Sequence, residues 1–342
     1  MNFVGHILEK RNLIMYSVNN IGFYTLTDSR AKYNHNNLER CEIILTEFCN
    51  FKCPYCRGVK SYSKDCSGHL DYEIANYVLD QWIKNGLNNI RFSGGEPTLY
   101  PHLLKLIKQS KEGNIQRIAI STNGSRPRGL YETILKSGVN DFSISLDACC
   151  AENADKMSGR KGYFKDIVDN IKWLSKETYV TVGIVLTEST QETILDVVMF
   201  ADSLGVSDIR IITAAQYNGS LPYLEKIPQY ILNKYPILKY RVNNLLSGKN
   251  VRGITDEDSK KCYLVKDDSV VAGKWHFPCV IHMREGGEPI GEVNKNMLQE
   301  RINWSNIHNT HNDPICVKNC LDCLVDYNNL ANQEESNVYN KR

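Results

Sequence analysis

Three cysteines, Cys49, Cys53 and Cys56, fall within one short run as Cys-x3-Cys-x2-Cys, directly after the apolar stretch CEIILTEF. One loop with this spacing can wrap three thiolates around a single face of an iron–sulfur cube. A plain electron carrier supplies four cysteines, so a local trio leaves one iron open to a ligand that is not protein. Structural zinc is the competing chemistry. It wants four ligands from paired Cys or His units, and no second pair lies close by.

Other residues carry chemistry further along. Ser93-Gly94-Gly95-Glu96-Pro97 joins two glycines, which let backbone approach a ligand closely, to a proline that stiffens the exit. Ser121, Thr122 and Asn123 offer short polar side chains before Gly124; an Asn-Gly turn with satisfied backbone explains them equally well. In Ser143-Ile144-Ser145-Leu146-Asp147 polar and apolar residues alternate, so one face of a strand is polar. A second group of cysteines, Cys262, Cys279, Cys316, Cys320 and Cys323, stands near His276, His282, His308 and His311. Gly286-Gly287-Glu288-Pro289 repeats the earlier tetrapeptide without a barrel strand before it, so one copy is a coincidence or has another job.

These residues need a frame. Strand-like runs begin at 41, 89, 117, 141, 179 and 208, each short and rich in Ile or Val, and helix-like segments lie near 71–85, 99–111, 128–137, 161–176 and 190–204. Strands alternating with helices imply right-handed βαβ units and a parallel sheet. Six units predict an α/β fold, an open, partial TIM-like (β/α)6 barrel, and the motifs above sit where such barrels do chemistry, at the C-terminal strand ends. Around it we expect an extension over 1–38 with a turn at Asn19, Asn20 and Gly22, and the barrel over 39–215. A helical connector over 216–255, a small α+β cysteine-bearing domain over 256–328 and a polar tail from 329 follow.

With 342 residues, 42% apolar and 23% charged, the chain has an ordinary globular composition. Its charge of +2 gives nucleic acid or an anionic membrane no global attraction. No apolar run is long enough to span a bilayer and no signal peptide is visible, which predicts a cytoplasmic protein without a membrane partner. Twelve cysteines in a reducing compartment argue for metal or cluster ligation over disulfides. Cys41, Cys66, Cys149 and Cys150 read as small buried or incidental residues.

The cysteine triplet, with Tyr55 before its last member, resembles the radical S-adenosylmethionine (SAM) superfamily. The resemblance implies a [4Fe–4S] cluster on Cys49, Cys53 and Cys56 whose open iron chelates SAM. It places Gly94, Gly95, Glu96 and Pro97 at the SAM amino group, Ser145 and Asp147 at ribose and carboxylate, Ser121 and Asn123 nearby, Arg160 at the carboxylate and Tyr55 against the adenine. Arg160 reads equally as a solvated surface arginine. Cys149 or Cys150 could donate a hydrogen atom to a substrate radical.

The C-terminal cysteines resemble a twitch domain, the shorter relative of SPASM, holding an auxiliary [4Fe–4S] cluster on Cys262, Cys279, Cys320 and Cys323, with Cys316 spare or substituting. Zinc on four of them is the alternative. The implied reaction is radical hydrogen abstraction from a peptide or small metabolite, giving oxidation, cross-linking or rearrangement, with an external donor such as flavodoxin or ferredoxin. A nucleotide or nucleic-acid substrate is the alternative, and a non-enzymatic iron–sulfur carrier or sensor the contrasting class. The extension is shorter than a separate leader-peptide-binding domain, which lowers the peptide reading.

Overall fold

The computed structural model describes residues 38–56, 68–188, 190–214 and 222–339; the turn expected near Asn19, Asn20 and Gly22, and Cys66, lie outside the described residues. Six strands form where alternating apolar residues place them: β1 (Arg40–Thr46), β2 (Asn89–Gly94), β3 (Arg117–Thr122), β4 (Asp141–Ser145), β5 (Tyr179–Leu186) and β6 (Asp208–Thr213). Each pairs parallel with the next. Between them run α1 (Tyr72–Lys84), α2 (Leu103–Glu112), α3 (Arg128–Ser137), α4 (Ala151–Ser158), α5 (Phe164–Glu177) and α6 (Ile194–Ser203). This is the expected open α/β barrel.

Its two faces follow from the period of two along a strand. Cys41, Ile43 and Leu45 of β1, Ile90 and Phe92 of β2, and Phe142 and Ile144 of β4 point outward and pack with Val78, Leu79 and Trp82 of α1 and Ile134 of α3. Cys41 is therefore a core residue, and burial pushes its thiol far above the usual range. The alternate residues point inward, and among them are several charged side chains. Arg117 and Arg91 reach Asp141 at 2.9 and 3.4 Å, and Arg40 reaches Glu42 at 3.2 Å.

Beyond the barrel come α7 (Gln229–Lys234), α8 (Pro236–Leu246), β7 (Asp268–Ala272), β8 (Trp275–Phe277), α9 (Val280–Arg284), β9 (Gly291–Glu292), α10 (Met297–Ile307), α11 (Pro314–Asn319) and α12 (Asp322–Tyr339). The C-terminal region is not a separate layer. β7 pairs parallel with β1 on the side away from β2, and β8 and β9 add antiparallel strands, giving the order β6-β5-β4-β3-β2-β1-β7-β8-β9. Arg40 lies opposite Asp268 in this register and bonds its carboxylate at 3.1 Å, so an ion pair marks the seam.

Two further differences have local causes. α4 was not expected because its run AENADKMS buries no residue and offers no apolar stripe. The polar tail from 329 is helical as far as Tyr339, because asparagines anchor it: Asn328 Oδ1 accepts the N–H groups of Tyr263 and Leu264 at 2.8 and 3.1 Å. Among the described residues no helix is long and apolar enough to cross a membrane.

Candidate cluster and cofactor site

The loop carrying Cys49, Cys53 and Cys56 leaves the end of β1 and is tied down on two sides. Gly95 N–H donates to the Thr46 carbonyl at 2.7 Å and Glu96 N–H to the Phe48 carbonyl at 2.8 Å, so the cysteine loop and the glycine loop form one unit. On the far side Lys52 N–H donates to the Ser158 carbonyl at 2.7 Å. Cys49 and Cys56 are exposed and Cys53 is half-buried. Burial raises the thiols of Cys49 and Cys53, the latter to about 11, and both are raised further by the neighbouring cysteines of the trio. Three thiols carried on one loop are a donor set that fits an iron–sulfur cluster.

The glycines are required by their surroundings. Gly94 has φ 136°, and a Cβ there would stand 2.4 Å from the Thr46 carbonyl oxygen; at Gly95 it would stand 2.3 Å from that of Phe48. Glu96 is fully buried. Its Oε1 accepts from Thr98 N–H at 3.1 Å, Thr98 Oγ1 at 2.6 Å and Thr122 Oγ1 at 2.8 Å, and its Oε2 accepts from Asn123 N–H at 2.8 Å. Burial raises its pKa, and these bonds act against that rise. Glu96 thus knits the loops after β2 and β3 together, while Pro97 opens a single 3-10 turn ending at Leu99, which delays α2 past the expected start.

Asn123 bridges to the cysteine loop: its Nδ2 donates to Asn50 Oδ1 at 2.8 Å and lies 3.9 Å from Cys49 Sγ. The Asn-Gly turn is also present, with Gly124 at φ 75°. Ser121 stands next to the end of β3. It points into the barrel, where its Oγ accepts from Arg91 Nη1 at 2.9 Å. Ser145 is exposed at the end of β4. Tyr55 and Asp147 are bound to each other, the hydroxyl donating to Oδ2 at 2.5 Å, while Val185 N–H donates to Asp147 Oδ1 at 2.6 Å. Burial raises Asp147 to about 6 despite these two bonds.

Arg160 is exposed and follows Gly159, whose φ of 63° lets its backbone lie against Lys52; a Cβ there would come within 2.8 Å of the Lys52 carbonyl. The α4–α5 connection, which carries Arg160, therefore lies against the cysteine loop. Cys149 packs partly against the barrel core, and Cys150 is exposed before α4.

In the C-terminal region Cys262 precedes β7, Cys279 caps α9, and Cys316 and Cys320 lie on and just after α11. Arg301, fully buried, donates to the carbonyls of Val265 at 2.9 Å, Phe277 at 2.8 Å and Pro278 at 3.2 Å, and also to that of Asp268, clamping the hairpin between Cys262 and Cys279. The histidines are engaged: His276 with Glu300 at 2.9 Å, His282 with Asp313 at 3.1 Å, His311 with the Asp258 carbonyl at 3.0 Å, and His308 stacked on Trp304. The second Gly-Gly-Glu-Pro closes α9, with Gly286 at φ 86° and Gly287 against the His282 ring.

Known proteins share this arrangement in part. Residues 43–201 match the description Radical SAM superfamily. Molybdenum cofactor biosynthesis protein 1 of Bos taurus is 28% identical over 60% of this chain and 32% of its own length. The GTP 3',8-cyclase of Synechocystis is 24% identical over 52% of this chain and 53% of its own. The chain thus spans a third to about half of the length of these relatives. Among solved structures, Streptococcus suis SuiB bound to S-adenosylmethionine shares the fold, with a TM-score of 0.58 and 18% identity over 89% of this chain and 76% of that one. Over residues 43–201, a little under half of its length, the chain is similar to the Radical SAM superfamily.

Proposed function

We propose that this chain is an enzyme that reductively cleaves SAM and abstracts a hydrogen atom from a substrate. The observation that carries the reading is the coupling of the cysteine loop to Gly95, Glu96 and Asn123 at one rim of the barrel. Cys49, Cys53 and Cys56 would hold the [4Fe–4S] cluster. When bound with SAM, the cluster supplies one-electron cleavage to a 5′-deoxyadenosyl radical; the protein contributes placement and exclusion of water. The exposed faces of Cys49 and Cys56 suit electron entry from an external donor such as flavodoxin or ferredoxin. Gly94, Glu96, Ser145, Asp147 and Arg160 border the space in which SAM would lie. Anaerobically reconstituted protein given SAM and dithionite is expected to form 5′-deoxyadenosine, and Cys53→Ala to fall to background. A wild-type protein with intact cluster absorbance and no product overturns the assignment.

The barrel interior favours an anionic substrate, and with it the nucleotide reading over the peptide one. Arg210 sits on the inner face of β6, with its Nε buried and, among the described residues, no hydrogen bond or ion pair. Burial lowers its pKa to about 10, and Arg91, Arg241 and Arg40 push it the same way. A largely buried cation that makes no direct ion pair is costly, and a phosphate seated there would offset the cost. Relatives bearing the name GTP 3',8-cyclase act on a nucleotide, so GTP is the first probe. Arg210→Gln is expected to weaken GTP binding roughly 10- to 100-fold, in line with losing one charge-assisted contact, while leaving substrate-free SAM cleavage intact. Unchanged GTP affinity in the variant removes Arg210 from the substrate site, and no GTP binding by the wild type removes the nucleotide reading.

A further inference from the structure

The C-terminal region offers five cysteines for the four places of a cube, and spacing alone favours the Cys320-x2-Cys323 pair. We propose instead that Cys262, Cys279, Cys316 and Cys320 hold the auxiliary cluster and that Cys323 stands outside it. The proposal rests on the auxiliary-cluster reading and names the ligands within it.

Helix geometry supplies the first argument. Cys320 N–H donates to the Cys316 carbonyl at 3.2 Å, the bond of one α-helical turn, so the two side chains share a face of α11. That helix packs against α9, whose first turn is capped by Cys279. At Cys320 the backbone turns extended, with φ −55° and ψ 131°, so Cys323 belongs to the next helix and does not continue this face. Its backbone is held elsewhere: Cys323 N–H donates to Asp322 Oδ1 at 2.8 Å, and that carboxylate is bound by Arg241 at 2.5 Å and Asn244 at 2.7 Å.

Donors to sulfur mark three of the proposed four. Thiolate ligands take N–H donors from the surrounding shell, which orient them and tune the metal. His282 N–H stands 3.4 Å from Cys279 Sγ, His308 Nε2 3.7 Å from Cys316 Sγ, and Asn328 Nδ2 4.0 Å from Cys262 Sγ. Among the described residues no donor stands on the Sγ of Cys323, nor on that of Cys320, whose thiol points to the Leu321 carbonyl at 3.9 Å.

A rival set uses Cys316 differently. His308, Asp313 and Cys316 bring ligand atoms within 4.8 Å of one another, close enough for a single metal ion. Iron, sulfide and zinc per chain, counted on anaerobically reconstituted protein with Mössbauer spectra, separate the possibilities. Two cubes predict about eight irons in the wild type, about four in Cys316→Ala and about eight in Cys323→Ala. Full iron in Cys316→Ala, or loss of half the iron from a natively folded Cys323→Ala, overturns the ligand set. Should Cys316→Ala fail to fold, Cys316→Ser is scored by the same counts. A wild type with only four irons, with or without one zinc, instead defeats the auxiliary-cluster reading itself, and the first cluster and SAM cleavage stand apart from that result.

Discussion

Replacing Gly95 with alanine will empty the first cluster site and lower 5′-deoxyadenosine formation roughly 100-fold or more, the scale of loss that an ångström of misplacement produces. The added Cβ would lie 2.3 Å from the Phe48 carbonyl oxygen, 2.7 Å from its carbon and 2.8 Å from the Glu47 oxygen. All three are backbone atoms, so no side chain can swing aside. Relief must come from moving the segment that leads directly into Cys49, at the point where Glu96 N–H now bonds the Phe48 carbonyl at 2.8 Å. Thr46 cannot give way easily either, since its hydroxyl donates to the Gly68 carbonyl and accepts from Phe48 N–H. The control is Gly129→Ala on α3, which meets nothing within 4 Å and should gain up to about 1 kcal/mol from helix propensity. Iron per chain and product formation, measured on both variants, decide the matter. A Gly95→Ala protein with full iron and wild-type turnover would show that the loop contact is not what positions Cys49.

Much of this site could be read from sequence because its physics is local. The outward faces of β1 to β6 follow a period of two, and the chemistry-bearing motifs fall at strand ends once the strands are placed. Pairing across long separations left no such trace. β7 is a five-residue strand, and its partner Arg40 lies 228 positions from Asp268, so nothing near either residue announces the seam. Ser121 and Asn123 look alike in sequence, yet strand direction sends one to Arg91 inside the barrel and leaves the other at the rim. The same limit applies to Cys316 and Cys323. Spacing counts residues, whereas ligand choice depends on where α11 ends and which way the chain leaves it.

Glu96→Ala should destabilise the protein by roughly 3 kcal/mol or more, because several buried donors would lose their acceptor together. The carboxylate is fully buried and receives four hydrogen bonds from Thr98, Thr122 and Asn123. Removing it strands those donors in the interior, each at a cost of about 1–3 kcal/mol unless water enters. Against a total stability of about 5–15 kcal/mol this is a large fraction, so the variant should unfold at clearly lower denaturant with an unchanged m-value. Glu96→Gln separates packing from charge. Its Oε1 can keep the Thr98 and Thr122 bonds, but its amide nitrogen would face Asn123 N–H, donor against donor, so a smaller loss of about 1–3 kcal/mol is expected. Should Glu96 also hold the SAM ammonium, the glutamine variant will in addition bind SAM more weakly under conditions where it remains folded. Equal denaturation midpoints for wild type and Glu96→Ala would mean that the loops after β2 and β3 are held together by something other than this carboxylate.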